Sequence, residues 1–189
     1  MDNLETYLST YFNIKATEME ATVSLFKPIS IKKNDYLLKT GQFCNQLCFI
    51  KDGIVRIYAN ENGKEVTQWI STKGYFVTDL ASFLFHQPAR WNLQAISDCE
   101  LFSIKQSDYE QLSQIVPQWQ QTEKAFLAHC FTILENRIFS HLSLSAEERY
   151  QHFFEQNKAL FHQVPLQYLA SMLGMTPETF SRIRKKMTA

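Results

Sequence analysis

The spacing of hydrophobic positions changes along this chain, and each change predicts a different element. Near the start, Leu4, Tyr7, Leu8, Tyr11 and Phe12 recur at helical intervals, which predicts a helical lead-in over residues 3–26. From about Pro28 the pattern becomes that of strands. Residues 47–50 form an apolar run ending in Lys51-Asp52-Gly53, residues 54–58 form another, and Asn62-Gly63 marks a hairpin before residues 65–70. Further strands are predicted at 75–77, 93–96 and 100–104. Glycines 41, 53, 63 and 74 cut this region into short segments of similar length, the mark of a sandwich, barrel or jelly roll.

Helical spacing returns near Ser107-Asp108. Leu112, Val116, Trp119, Phe126, Cys130 and Ile133 follow it, Leu127, Leu134 and Ile138 form an adjacent row, and Pro117 allows a break near the beginning. So wide a band predicts a long helix that packs on its own barrel and on a second copy of itself. Ser145 and Glu148 make a capping box for another helix, whose Tyr150, Phe153 and Phe154 face a core.

Residues 164–186 read as two short helices around a tight corner. Leu166, Leu169, Ala170 and Leu173 form a one-sided stripe, Gly174 suits a left-handed helix end, and Thr176, Pro177 and Glu178 suit a new helix start. In the second helix, Phe180, Ile183 and Met187 fall on one side. Glu178, Ser181, Arg182 and Lys185 fall on the other, with Arg184 and Lys186 at the flanks. An apolar inner face beneath carboxylate, hydroxyl and guanidinium groups suits a helix lying in a DNA major groove. There Arg pairs with guanine O6 and N7, Glu accepts from cytosine N4, and Lys meets phosphate.

Composition narrows the function. At 189 residues, 45% hydrophobic and 14% aromatic, the chain is expected to be globular with one or two domains. Its acidic start lacks the apolar run of a signal peptide, and no stretch approaches the roughly 20 apolar residues of a membrane span. A cytoplasmic protein without a membrane partner is the expectation. The 19 basic and 19 acidic residues cancel, which argues against nucleic acid until their placement is considered. Residues 164–189 hold Arg182, Arg184, Lys185 and Lys186 against Glu178 alone, a basic tip on an acidic body. The four cysteines form no C-x-x-C pair, so neither a metal nor a cofactor is expected and buried free thiols are.

In this order of parts the chain resembles the Crp/Fnr family of bacterial transcription regulators. The likeness rests on Gly41-Gln42, residues 47–56, Asn62-Gly63-Lys64-Glu65 and Lys73-Gly74, and on residues 174–183 at the other end. It implies an α+β fold: an N-terminal double-stranded β-helix, or jelly roll, of the cyclic nucleotide-binding type, a long dimerisation helix, and a C-terminal helix-turn-helix. The implied division is 1–110 sensor roll, 111–144 long helix and hinge, 145–189 DNA-binding unit. The family's E-x-x-S-R pattern is met by Glu178, Ser181 and Arg182, which the face analysis already turned outward. These are the expected base readers, with Thr176, Lys185 and Lys186 for phosphates. The implied partners are double-stranded DNA bound at paired half-sites, a second copy of the chain, and RNA polymerase.

Two departures set this chain apart. Cyclic-nucleotide binders of the family carry G-E-L and then R-S or R-T, in which Glu takes the ribose hydroxyl and Arg the cyclic phosphate. Here residues 77–80 place Thr78 and Asp79 at the first pair, and Ala89, Arg90 and Trp91 at the second. Cyclic AMP is therefore not the expected effector, and an unknown small-molecule effector stays open. Phe76, Phe83, Phe85, Trp91 and Trp69 point to a filled or apolar pocket. Secondly, the sequence ends at Ala189 without the full β-hairpin wing of many relatives, which predicts fewer phosphate contacts. Two other readings compete with this one. An enzyme in a jelly roll needs several His and a carboxylate inside the barrel, which here holds only His86, so no catalysis is expected. The alternative is a ligand-sensing or protein-interaction module with little or no direct DNA binding.

Overall fold

The computed structural model describes residues 3–188, so the expectation concerning the chain end at Ala189 lies outside the described residues. Two short helices lead in, α1 (Asn3–Phe12) and α2 (Ala16–Ser24), and strands follow. In chain order these are β1 (Lys27–Ile31), β2 (Tyr36–Leu38), β3 (Gln46–Asp52), β4 (Val55–Glu61), β5 (Lys64–Ser71) and β6 (Phe76–Val77). A short helix, α3 (Leu80–Phe85), precedes β7 (Asn92–Ala95) and β8 (Cys99–Lys105). Two antiparallel four-stranded sheets result, in orders β1-β8-β3-β6 and β2-β7-β4-β5, which is the expected jelly roll. The fold is α+β, as read from the sequence.

Alternation fills the space between the sheets with Cys48, Ile50, Val55, Ile57, Val77, Leu93 and Leu101. The outward residues of β3 and β8 form a second core with the lead-in helices: Leu4, Leu8, Phe12 and Phe26 pack with Phe49 and Ile104. Phe76 joins this outer cluster, its ring 5.2 Å from Phe49 and 5.3 Å from Tyr7. It therefore does not fill the roll interior, because its neighbour Val77 takes the inward position. Phe85 is 73% exposed and does not fill it either, while Phe83 does.

Two turns show local chemistry imposing register. At the β4–β5 hairpin, Asn62 and Gly63 both have positive φ, 51° and 77°, as the two-residue primed turn requires, and Glu61 pairs with Lys64. Gly53 has φ 99°, and a Cβ there would lie 2.5 Å from the Asp98 carbonyl oxygen. Gly53→Ala is expected to cost about 2–4 kcal/mol, strained backbone adding to overpacking, read as a lowered urea midpoint.

The helical region is more divided than one continuous rod. Helices α4 (Gln106–Tyr109) and α5 (Leu112–Ile115) precede the long α6 (Trp119–Ser143), with Pro117 in the gap. Then come α7 (Ala146–Gln156), α8 (Leu160–Gln163), α9 (Leu166–Met172) and α10 (Pro177–Thr188). The Ser145–Glu148 capping box forms: the Ser145 hydroxyl accepts from the Glu148 amide, and the Ser145 amide donates to the Glu148 carboxylate. The third core joins the roll to the C-terminal helices. Tyr150, Phe161, Leu169, Phe180 and Ile183 share it with Ile54, Ile70 and Ile96 of the roll.

Candidate nucleic-acid interface

The corner between α9 and α10 is built by backbone chemistry. Gly174 adopts φ 68°, and the amide of Met175 reaches back to the Ala170 carbonyl at 3.0 Å, closing the end of α9. Thr176 then caps α10, its hydroxyl accepting from the Thr179 amide at 3.2 Å. Leu169, Ala170 and Leu173 are buried as the stripe predicted, and Met172 with them, while Leu166 is only partly covered. The Phe180 ring is completely enclosed, 5.0 Å from Tyr150 and 5.8 Å from Phe161. Ile183 is buried beside it, but Met187 is 39% exposed, so the apolar face is one turn shorter than its spacing predicts.

The opposite face of α10 carries Glu178, Ser181, Arg182 and Lys185, all exposed. Arg182 forms no ion pair among the described residues. Glu178 sits at the positive end of the helix. Its own amide N–H and the Thr176 hydroxyl hold its carboxyl below the usual range, with the charge of Lys64 on the β4–β5 hairpin adding to the effect. Lys186 is exposed but paired with Glu147 of α7 at 2.8 Å, so a phosphate there would exchange one partner for another.

Residues of the effector pocket lie together at the start of α3 and the approach to β7. Asp79 is 2% exposed and caps α3: Oδ1 accepts from the Ser82 amide at 3.0 Å. Oδ2 accepts from the amides of Arg90 at 2.9 Å and Trp91 at 3.1 Å. One buried carboxylate thus satisfies three backbone donors. Thr78 is turned to the Gln46 carbonyl at 3.0 Å, and Ala89 is buried with its amide on the Gln42 carbonyl. The Arg90 side chain is exposed, its guanidinium 4.8 Å from the Trp91 ring centre. Half-buried Trp91 packs on the inter-sheet core. The Asp79 carboxylate is thus engaged by backbone amides, and the one guanidinium of this segment, that of Arg90, is exposed.

Sequence reasoning missed Arg56. It stands in β4, 1% exposed, between the rings of Tyr58 at 4.2 Å and Tyr168 of α9 at 3.7 Å. Its Nε donates to the Thr67 hydroxyl at 2.9 Å and its Nη1 pairs with Glu65 at 2.6 Å. The Thr67 amide donates to the Ser171 hydroxyl, also at 2.9 Å. A lone arginine within an apolar strand was the available signal, but its partner on α9 is remote in sequence. Among the described residues no cluster of His, Cys, Asp and Glu could hold a metal, and no helix is long and apolar enough to cross a membrane.

Comparison with known proteins agrees with this geometry. Residues 28–115 match the cyclic nucleotide-binding domain family. FixK2 of Bradyrhizobium japonicum superposes with TM-score 0.73 at 20% identity, covering 86% of this chain and 84% of that one. CLP of Xanthomonas campestris, a c-di-GMP responsive global regulator, does so with TM-score 0.70 at 19% identity over 92% of each chain. The catabolite activator protein of Thermus thermophilus gives TM-score 0.60 at 21% identity, over 96% of this chain and 86% of that one. No curated protein sequence matches significantly. At these identities the structural likeness establishes the fold.

Proposed function

We propose that this chain, which carries the Crp/Fnr regulator fold with a cyclic nucleotide-binding domain at residues 28–115, is a transcription regulator that binds a palindromic DNA site as a homodimer. The observation that carries this reading is the two-faced α10, anchored by Phe180 and Ile183 while Ser181, Arg182 and, within reach of Lys64 on the β4–β5 hairpin, Glu178 are exposed on the other side. These three read base edges, and Thr176, Lys185 and Lys186 meet phosphates. The working division is 1–110 for the sensor roll, 111–144 for the long helix and hinge, and 145–189 for the DNA-binding unit. The protein acts in the cytoplasm, without catalysis, and engages RNA polymerase at the promoters it serves. Retardation of the gene's own upstream region in a gel, lost in Arg182→Ala, tests it. Equal retardation by both proteins would favour a sensing or interaction module instead.

The effector differs from cyclic AMP. Asp79 already satisfies the amides of Arg90 and Trp91, the residues matched in sequence to the family's phosphate-binding pair, and residue 89 supplies no guanidinium. That a protein of the same fold responds to c-di-GMP supports an exchange of effector within it.

Dimerisation is supported by α6. Phe131, Leu134, Ile138 and Leu142 recur every three or four residues, and all are exposed, Leu142 by 81%. Such a stripe invites a second copy across a twofold axis. Ile138→Glu places a charge in its middle and is expected to give a monomer in sedimentation equilibrium, with DNA affinity falling to that of one half-site. A dimer of unchanged stability would show that the contact lies elsewhere.

A further inference from the structure

We propose that the cleft between β5, α6, α7 and the end of α9 binds a small organic anion with a planar apolar body, and that this anion competes with α9 for two arginines. The inference rests on the regulator reading only for its effect on DNA. The cleft has a volume of about 480 Å³ and lies outside the roll interior. Trp69, Arg137, His141, Arg149, His152 and Phe153 stand among its walls, and no Asp or Glu does.

The chemistry of the two guanidinium groups is the argument. Arg137 is half-buried against the Trp69 ring, 5.2 Å from its centre, and forms no ion pair among the described residues. Its acceptors among the described residues are backbone carbonyls: Gln68 of β5 and, at 2.9 Å, Met172 of α9. Burial pulls its pKa below the ordinary value, and no carboxylate offsets that pull. Arg149, also half-buried, likewise donates to backbone carbonyls. Nε donates to the Leu173 carbonyl at 3.0 Å and Nη1 to the Leu144 carbonyl at 2.6 Å, while Nη2 has no acceptor among the described residues.

A desolvated cation without a counter-charge, as Arg137 is, is costly, and a second guanidinium in the same cleft adds to its attraction for an anion. A carboxylate or phosphate is the natural complement of a guanidinium fork. The flat faces of Trp69 and Phe153 supply the surface for a ring. His152, exposed at the rim, adds an imidazole.

Occupation has a consequence for α10. Met172 is the last residue of α9 and Leu173 caps it, and their carbonyls lie at its negative end, where cations are favoured. Gly174 follows directly, with the His141 ring 3.3 Å from where its Cβ would stand. An anion that draws Arg137 and Arg149 away takes two fastenings from the helix that positions α10. Differential affinity of this kind typically changes the second ligand's binding by about 5–150-fold.

Calorimetric titration of the full chain without DNA tests the site, using inorganic phosphate, benzoate and adenosine 5′-monophosphate into the millimolar range. Benzoate or the nucleotide is expected to bind more tightly than phosphate alone. His152→Ala and Arg149→Met are each expected to weaken binding roughly tenfold, the loss of about one charge-assisted hydrogen bond. His152 is exposed, so its variant folds even where Arg149→Met does not. Failure of every probe to bind, or binding unchanged in both variants, overturns the site. DNA affinity identical with and without a bound probe overturns the competition with α9. A protein that shifts DNA but binds no anion refutes this inference and leaves the regulator reading intact; one that binds the anion but no DNA does the reverse.

Discussion

An Arg182→Ala variant is expected to fold normally and to lose most of its sequence-specific DNA affinity. The side chain is exposed and pairs with no carboxylate among the described residues, so its removal takes nothing from the core. At the groove, each bidentate arginine–guanine pair discriminates by about 1–3 kcal/mol. Two half-sites on a twofold dimer double that to about 2–6 kcal/mol, at least roughly a 30-fold loss. Fluorescence anisotropy on a labelled upstream fragment measures it, and a scrambled fragment supplies the comparison. Lys185→Ala should behave differently: affinity falls for both fragments alike, and the slope of log K against log salt becomes shallower by about 0.9 for each phosphate contact removed. If Arg182→Ala weakens both fragments equally, Arg182 contacts the backbone and the bases are read by another residue.

Asp79→Ala is expected to lower the stability of the roll substantially. Its carboxylate is buried and accepts from three amides, those of Ser82, Arg90 and Trp91. Hydrogen bonds to a charged acceptor contribute about 1.5–3 kcal/mol each, and the stranded donors resist burial. Relief from burying a charge offsets part of this, so a net loss of about 2–4 kcal/mol is expected, seen as a lower urea midpoint with an unchanged slope. The same geometry predicts that cyclic AMP and cyclic GMP leave the wild-type melting temperature unmoved. A clear rise with either would show that Asp79 yields its amides to a phosphate.

How much of this was legible in the sequence depended on how local its causes are. The α9–α10 corner was, because Gly174, Thr176 and Pro177 act on their immediate neighbours. So were the Asn62-Gly63 turn and the Ser145–Glu148 box. The α6 band was legible as a period, and Pro117 as a break near its beginning, but not the further division of the preceding residues into α4 and α5. Strands β1 and β2 gave too few alternating positions to be named. Phe76 was assigned to the wrong side because a two-residue strand carries no period, and only its β3 partner decides which way it faces. Thr78 and Asp79 were legible as departures from a pattern. That Asp79 would cap α3 and bridge to Arg90 and Trp91 followed only from a fold that brings β7 alongside. The setting of Arg56 was illegible for the same reason, since Tyr168 reaches it from another part of the chain.

Ile54, Ile70 and Ile96 of the roll pack into one interior with Tyr150, Leu169 and Phe180. The C-terminal helices are accordingly not a portable module. Cut free at residue 145, they would leave one wall of their own oil drop open to water, and a fragment so prepared would clump before it could be asked to find an operator.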